Sequence, residues 1–264
     1  LQALKFGRDS QALEHIADAL IDMLGHQESA RLGEHEPAKP LLPKLRQRWH
    51  HWQREREQRL RRSVEDLYQH RRLQRQESDL LTPDDGDLFS ERTRQLWGIS
   101  KAQLAAAGFG AGAVGGAGLD AVTLGHSLGT GALIGGLLGA AGSYYYSDKL
   151  TRLKLGPLRG GFRGAVYGPL KDPQFAYVVL GRALVHSYEV SQRNHAGRDV
   201  LVVNEAGEHW LDHMDRKERQ RLHKTLLSLA SRKFEPGKRQ RLIEQLEQAQ
   251  QAFGQWQMGQ FEGS

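Results

Sequence analysis

The sequence predicts a mainly α fold: a helical bundle with a Gly/Ala-rich apolar helical hairpin and at most a minor β element. Three observations carry that prediction. Apolar residues recur at helical spacing through most of the chain. The stretch from Lys44 to Glu77 contains neither proline nor glycine. The run from Ala102 to Ser147 holds thirteen glycines among alanines and leucines, with Asp120 as its only formal charge. In a chain otherwise so rich in charge, that run has to be buried in protein or in lipid.

The elements follow in order. Ser10 to Leu24 places Leu13, Ile16, Leu20 and Met23 on one face, a first amphipathic helix that ends in a loop with Pro37, Pro40 and Pro43. Lys44 to Glu77 sets eleven Lys or Arg against five acids and predicts a long, exposed, basic helix. Its apolar stripe is thin: Leu45, Trp49, Trp52, Leu60, Val64 and Leu67. Thr82, Pro83 and Asp85 form a helix start, with the hydroxyl as N-cap and proline at the first helical position, where a missing N–H costs little. After the apolar run, Leu155 to Pro173 is rich in glycine and proline and reads as an irregular connector. Gln174 to Gln192 is helical, with Phe175, Val178, Val179, Ala183 and Val190 broadly on one face. Asp199 to Val203 is the one convincing strand, and a lone strand cannot form a sheet. Trp210 to Lys233 and Arg239 to Trp256 are the final helices. In the last, Leu242, Leu246, Ala249, Phe253 and Trp256 alternate four and three apart, a seam for a neighbouring helix. The chain therefore divides into 1–81 (amphipathic helix, proline loop, basic helix), 82–156 (apolar hairpin) and 157–264 (helical region with one short strand).

Composition bounds the function. At 264 residues, 37 Lys and Arg face 31 Asp and Glu, and the net charge of +6 suits an anionic partner without choosing among phospholipid, RNA and acidic protein. With no cysteine there are neither disulfides nor thiolate zinc sites. The first residue is Leu1, and no basic stretch followed by an apolar core and cleavage site lies near it, so the chain reads as an excerpt of a longer cytoplasmic protein.

Four short patterns bear on chemistry. Gly125-His126-Ser127-Leu128-Gly129 matches the G-x-S-x-G nucleophile elbow, in which small residues permit a strained strand-to-helix turn that presents the serine hydroxyl beside backbone N–H donors. An esterase reading makes Ser127 the nucleophile, with Asp199 or Asp212 as the acid and His213 or His223 as the base. Such a hydrolase needs several parallel strands before the elbow, where this chain is helical and charged. Gly110 to Gly115 fits G-x-G-x-x-G, but the preceding Lys101 to Phe109 is helical in character and Asp120 is too near to serve as the ribose acid. No G-x-x-x-x-G-K-[ST] is present. His209-Trp210-Leu211-Asp212-His213 resembles H-x-x-E-H with the shorter Asp212 in place of glutamate and no identifiable third ligand, so no metal site is expected. Trp49, Trp52 and Tyr68, interleaved in the basic helix, suit acidic lipid or nucleic acid, though such charge runs are more often a solvated face and no specific nucleic acid is expected.

The glycines remain. Gly108, Gly112 and Gly116 recur every fourth residue, as do Gly131, Gly135 and Gly139, so each set forms a smooth helical groove that lets backbones approach closely. Around them Leu133 and Leu137 supply apolar bulk. A turn near Thr123 to Ser127 leaves about 20 residues on each arm, close to the length that crosses a bilayer. Tyr144, Tyr145 and Tyr146 then fall at the interface, and Lys101 before the run with Lys149, Arg152 and Lys154 after it places both ends on one side. Only eleven of the 46 residues are Leu, Ile, Val or Phe, so a soluble helical scaffold that buries the same hairpin is the competing reading.

At LTPDDGDLFSERTRQLWGISKAQLAAAGFGAGAVGGAGLDAVTLGHSLGTGALIGGLLGAAGSYYY and the following RGGFRGAVYGPLKDPQFAYVVLGRAL, the sequence resembles the domain of unknown function that follows an Era-like small GTPase domain in a group of bacterial proteins. The resemblance covers about Leu41 to Phe234. It implies that an upstream domain carries the nucleotide site, with GTP and Mg²⁺ bound there, and that this region has no catalytic residues or cofactor of its own. The expected role is then a non-catalytic C-terminal module. It docks the protein at the inner face of a membrane, on an anionic lipid surface or an inner-membrane protein.

Overall fold

The structure is a computed structural model that describes residues 2–33, 35, 37–68, 87–99, 154–157, 163–170, 172–192, 209–230 and 237–262. It is mainly helical, as expected. Among the described residues the order is α1 (Gln2–Gly25), β1 (Glu28–Arg31), a 3-10 turn (Lys39–Leu41), α2 (Leu42–Leu67), α3 (Glu91–Trp97), β2 (Lys154–Pro157), β3 (Arg163–Tyr167), α4 (Pro173–Gln192), a second 3-10 turn (Trp210–His213), α5 (Arg216–Leu229) and α6 (Lys238–Glu262). The apolar run, the helix start at Thr82 and the strand at Asp199 to Val203 lie outside the described residues.

α1 buries the four residues that mark its face, Leu13, Ile16, Leu20 and Met23, and also Ala12, Ala17, Ala19 and Leu24. That arc is wide because α1 touches α2, α4, α5 and α6. α4 is the other central helix. Fifteen of its residues are buried, on every side, which is the pattern of a helix enclosed by its neighbours. Burying side chains of this size contributes about 1.5–3 kcal/mol each. A single core runs from Leu13 through the middle of α2 and α4 to Trp256.

α2 is the long basic helix expected, and its thin apolar stripe packs on the bundle, with Trp52 and Leu67 partly buried against the core. Pro43 opens it within the first turn. Leu45, Trp49, Gln53, Leu60 and Val64 are buried. The arginines are committed to neighbours: Arg56 Nε lies 2.8 Å from Asp22 of α1, and Arg48 donates to the Ser29 carbonyl of β1 at 3.0 Å. Arg54 forms a fork with both oxygens of Asp87 at 2.8 Å. Gln53 Nε2 donates to the Met23 carbonyl at 2.8 Å, satisfying an acceptor in the last turn of α1. The aromatic rings are equally occupied. Trp52 stacks on His26 with centroids 3.6 Å apart, and the Tyr68 hydroxyl bonds Asp9.

The segment read as an irregular connector contains β2 and β3, a correction. With β1 they form an antiparallel sheet of order β1-β3-β2, in which Ala30 opposes Ala165 and Gly156 opposes Gly164. Glycine and proline are tolerated because Pro157 ends an edge strand and the two glycines face each other across the ladder. Beyond β3, Gly168 adopts φ +85°, with the His26 carbonyl 2.7 Å from where a Cβ would stand. Neither constraint is available to another residue. The C-terminal helix read from Trp210 to Lys233 is broken as well. Its first turn is 3-10, and Asp215 then caps α5 by accepting from the Lys217 N–H at 2.8 Å. The seam on α6 is as expected, with Leu242, Leu246, Ala249, Phe253 and Trp256 all buried.

Candidate functional site

The described fold stops at Ile99 and resumes at Lys154, the two positions that flank the apolar run. Ser90 caps α3, its hydroxyl accepting from the Thr93 N–H at 3.1 Å. α3 then runs antiparallel along α4: Thr93 lies by Arg182, Trp97 lies over Gly181, and Gly98 lies against Gln174. A Cβ on Gly181 would stand 3.1 Å from the Trp97 ring, and one on Gly98 would overlap Gln174 at 2.1 Å. Gln174 Nε2 also donates to the Ile99 carbonyl. The exit is thus fastened to the N-terminal end of α4. At the return, Lys154 pairs with Val166 of β3, whose chain passes through Tyr167 to Asp172 and into that same helix end. Both flanks of the apolar run are stitched to one end of the bundle.

A cleft opens at this end. Arg46, His50, Arg94 and Asp172 provide its polar lining, and Leu88, Phe89, Leu170, Phe175 and Val178 its apolar floor. Trp49 holds the floor together, its ring 5.8, 5.9 and 5.2 Å from those of Phe89, Tyr167 and Phe175. Its indole N–H donates to the His26 carbonyl at 3.2 Å. His50 stacks on Phe89 at 4.0 Å, and the Arg54 guanidinium lies 5.0 Å from the same ring. Burial and then the charges of Arg46 and Arg54 bring the His50 pKa down to about 4, with Asp87 opposing and Arg94 adding a smaller push in the same direction. The imidazole is neutral in a positive field. Asp172 caps α4, one carboxylate oxygen accepting from the Gln174 N–H at 3.0 Å, and burial pushes its carboxyl up.

Behind the cleft a buried ionic network ties α2, α3 and α4. Arg182, 5% exposed, donates through Nε to Glu57 at 2.5 Å and reaches the Thr93 hydroxyl at 3.5 Å. Arg61 donates to the same Glu57 oxygen at 3.3 Å, and His186 lies 3.5 Å from Glu65. The sequence contained one signal for this network: Arg182 is the lone Lys or Arg in its helix and sits within the apolar stretch Phe175 to Val185. It held none for Glu57, one acid among many on a charged helix. The cleft was missed because its polar residues come from three separate elements.

Of the sequence-derived candidates, Asp212, His213 and His223 are among the described residues. His213 and Asp212 are exposed at the 3-10 turn, while His223 is buried on α5 with Nδ1 3.4 Å from the Tyr177 hydroxyl. His209 is buried, and its Nδ1 accepts from the Leu211 N–H while its own N–H donates to Asp212. The H-x-x-x-H pattern is therefore a capping box. Ser127, Asp199, Leu133, Leu137 and the glycines 108, 112, 116, 131, 135 and 139 lie outside the described residues. Among the described residues no three His, Asp or Glu side chains converge as metal ligands, and no helix is long and apolar enough to cross a membrane.

Comparison with curated proteins and with solved structures gave no match. A family model does match, over residues 1–248, a wider span than the resemblance read from about Leu41 to Phe234. The chain belongs to the family described as Domain of unknown function (DUF3482).

Proposed function

We propose that this chain is the non-catalytic C-terminal module of a bacterial GTPase and that it docks the protein at the inner face of the membrane through Ala102 to Ser147. GTP and Mg²⁺ belong to the upstream domain in this reading, and nucleotide state there is passed through the bundle to a membrane or inner-membrane-protein partner. The observation that supports it best is the attachment of both flanks of the apolar run to the N-terminal end of α4. A hairpin presented to a bilayer must enter and leave on one side, and the fastened α3 at one root and the paired β2 at the other supply a rigid base. The length of the run and the basic residues at its ends fit the same geometry.

Flotation with phospholipid vesicles tests this. The chain is expected to float with the vesicles, and a Leu133→Asp, Leu137→Asp variant to stay at the bottom of the gradient. Equal behaviour of the two proteins contradicts the proposal.

A further inference from the structure

Docking through the apolar run leaves a concentration of positive charge without a role. Residues 216–241 hold ten Lys or Arg against two Glu, a net charge of +8 in a chain whose total is +6, so the rest of the chain sums to −2. α5 carries five of those cations within nine residues, and its buried side fixes where they point. Leu222, Leu226 and Leu229 pack inward. At about 100° per residue, Lys217, Gln220, Arg221 and Lys224 fall on the opposite side of the helix, with Arg216 at its edge. The four cations of this face, Arg216, Lys217, Arg221 and Lys224, are exposed. The acids around them are committed within the fold. Asp215 caps α5 through the Lys217 and Glu218 N–H groups, Glu218 accepts from Arg221 at 2.5 Å, and Asp212 accepts from Arg219 at 3.3 Å. Asp215 also acts on the Lys217 ammonium, whereas no carboxylate among the described residues pairs with Arg216 or Lys224.

We propose that the outward face of α5 receives an acidic segment of a partner protein, whose carboxylates meet Arg216, Lys217 and Lys224. From Arg216 to Lys224 the helix advances about 12 Å, which about four residues of an extended segment span. The composition of the face favours protein over the other polyanions. α5 has no Phe, Tyr or Trp on which a nucleic-acid base could stack, and among the described residues Met258 of α6 is the one exposed large apolar side chain that could enter lipid. Charge therefore supplies the attraction, and such a contact forms fast, is weak and is screened by salt. The site is independent of the docking role, so its loss leaves that role in place.

The test uses the whole chain and a fluorescein-labelled peptide of about eight glutamates, longer than the span above, followed by fluorescence anisotropy in low salt. The wild type is expected to bind the peptide and to release it as salt rises to about 0.5 M. Exposed ion pairs are worth up to a few-fold each, so Arg216→Gln, Lys217→Gln, Lys224→Gln is expected to weaken binding by roughly tenfold. Lys44→Gln, Arg59→Gln, Arg62→Gln removes the same charge from exposed positions on α2 and is expected to change binding by less than about twofold. Circular dichroism on each variant checks that the bundle is intact. An equal loss from the two triple variants, no loss from the α5 variant, or no binding by the wild type overturns the site. A single-stranded oligonucleotide of equal charge that binds the wild type more tightly than the peptide, and loses that advantage in the α5 variant, assigns the face to nucleic acid and overturns the acidic partner. Phosphatidylglycerol-containing vesicles that float the wild type and leave the α5 variant behind assign it to lipid, with the same consequence.

Discussion

Buried histidines make individual residues of this fold sensitive to acid. His209 is 8% exposed and His223 is 3% exposed, and burial lowers the pKa of each to about 4 from an ordinary 6.5, with Asp212 opposing the shift at His209. At His209 the cause is visible in the hydrogen bonds. Nδ1 accepts from the Leu211 N–H, so a second proton on the ring has to break the cap of the 3-10 turn. Both histidines are neutral in the fold and take up protons on unfolding below pH 6.5. Their contribution to stability is complete above that value and is lost as pH falls toward 4. Urea denaturation is expected to give a stability lower at pH 5 than at pH 7 by about 2 kcal/mol for each of the two. His223→Gln is expected to remove its share of the difference; an unchanged difference contradicts the assignment. In the sequence these residues read as a metal or catalytic pattern. Spacing alone does not separate a ligand pair from a capping box, because both put a side chain one turn from its partner.

At the scale of elements, the helices were legible and the sheet was not. The face of α1 and the seam of α6 repeat at three and four residues, a local signal that survives tertiary packing. β1 and β3 are joined by a ladder whose partners, Ala30 and Ala165, are more than a hundred residues apart, and no local pattern announces such a pairing. The same limit explains α2. Its charge was plain, but the destinations of Arg48, Arg54 and Arg56 lie on β1, on the segment before α3 and on α1. The stripe placed the helix as one wall of the bundle, and those partners fix its basic edges to the neighbouring elements. The most buried of these inter-element links is Glu57 with Arg182, which joins α2 to α4 and through Thr93 to α3. Removing one partner of a buried ion pair strands the other charge. Glu57→Leu is therefore expected to cost about 3 kcal/mol, whereas Glu57→Leu with Arg182→Met recovers most of it. A double-mutant cycle by urea denaturation measures the coupling, and strictly additive losses rule the link out as a stabilising pair.

For the whole molecule, the fold's central feature is that helices distant in sequence converge on one end. α3 runs back along α4 to deliver Ile99 to its N-terminus, and β2 enters beside β3, which feeds the same terminus. Trp49 packs that end together from α2, and the Arg46–Arg94 cleft opens there. α5 and α6 pack on α1, on α4 and on one another, and their outward faces, which carry Arg216, Lys224 and Glu247, form another flank of the bundle. If the first end faces a membrane, its surface and the flanking segments are covered on binding while that flank stays in water. Hydrogen–deuterium exchange of the intact chain, with and without phosphatidylglycerol-containing vesicles, reads this directly. The account predicts slower exchange confined to residues 87–99, 100–153 and 163–178, with α5 and α6 unchanged. Slowing centred on α5 and α6, or no slowing anywhere, contradicts it.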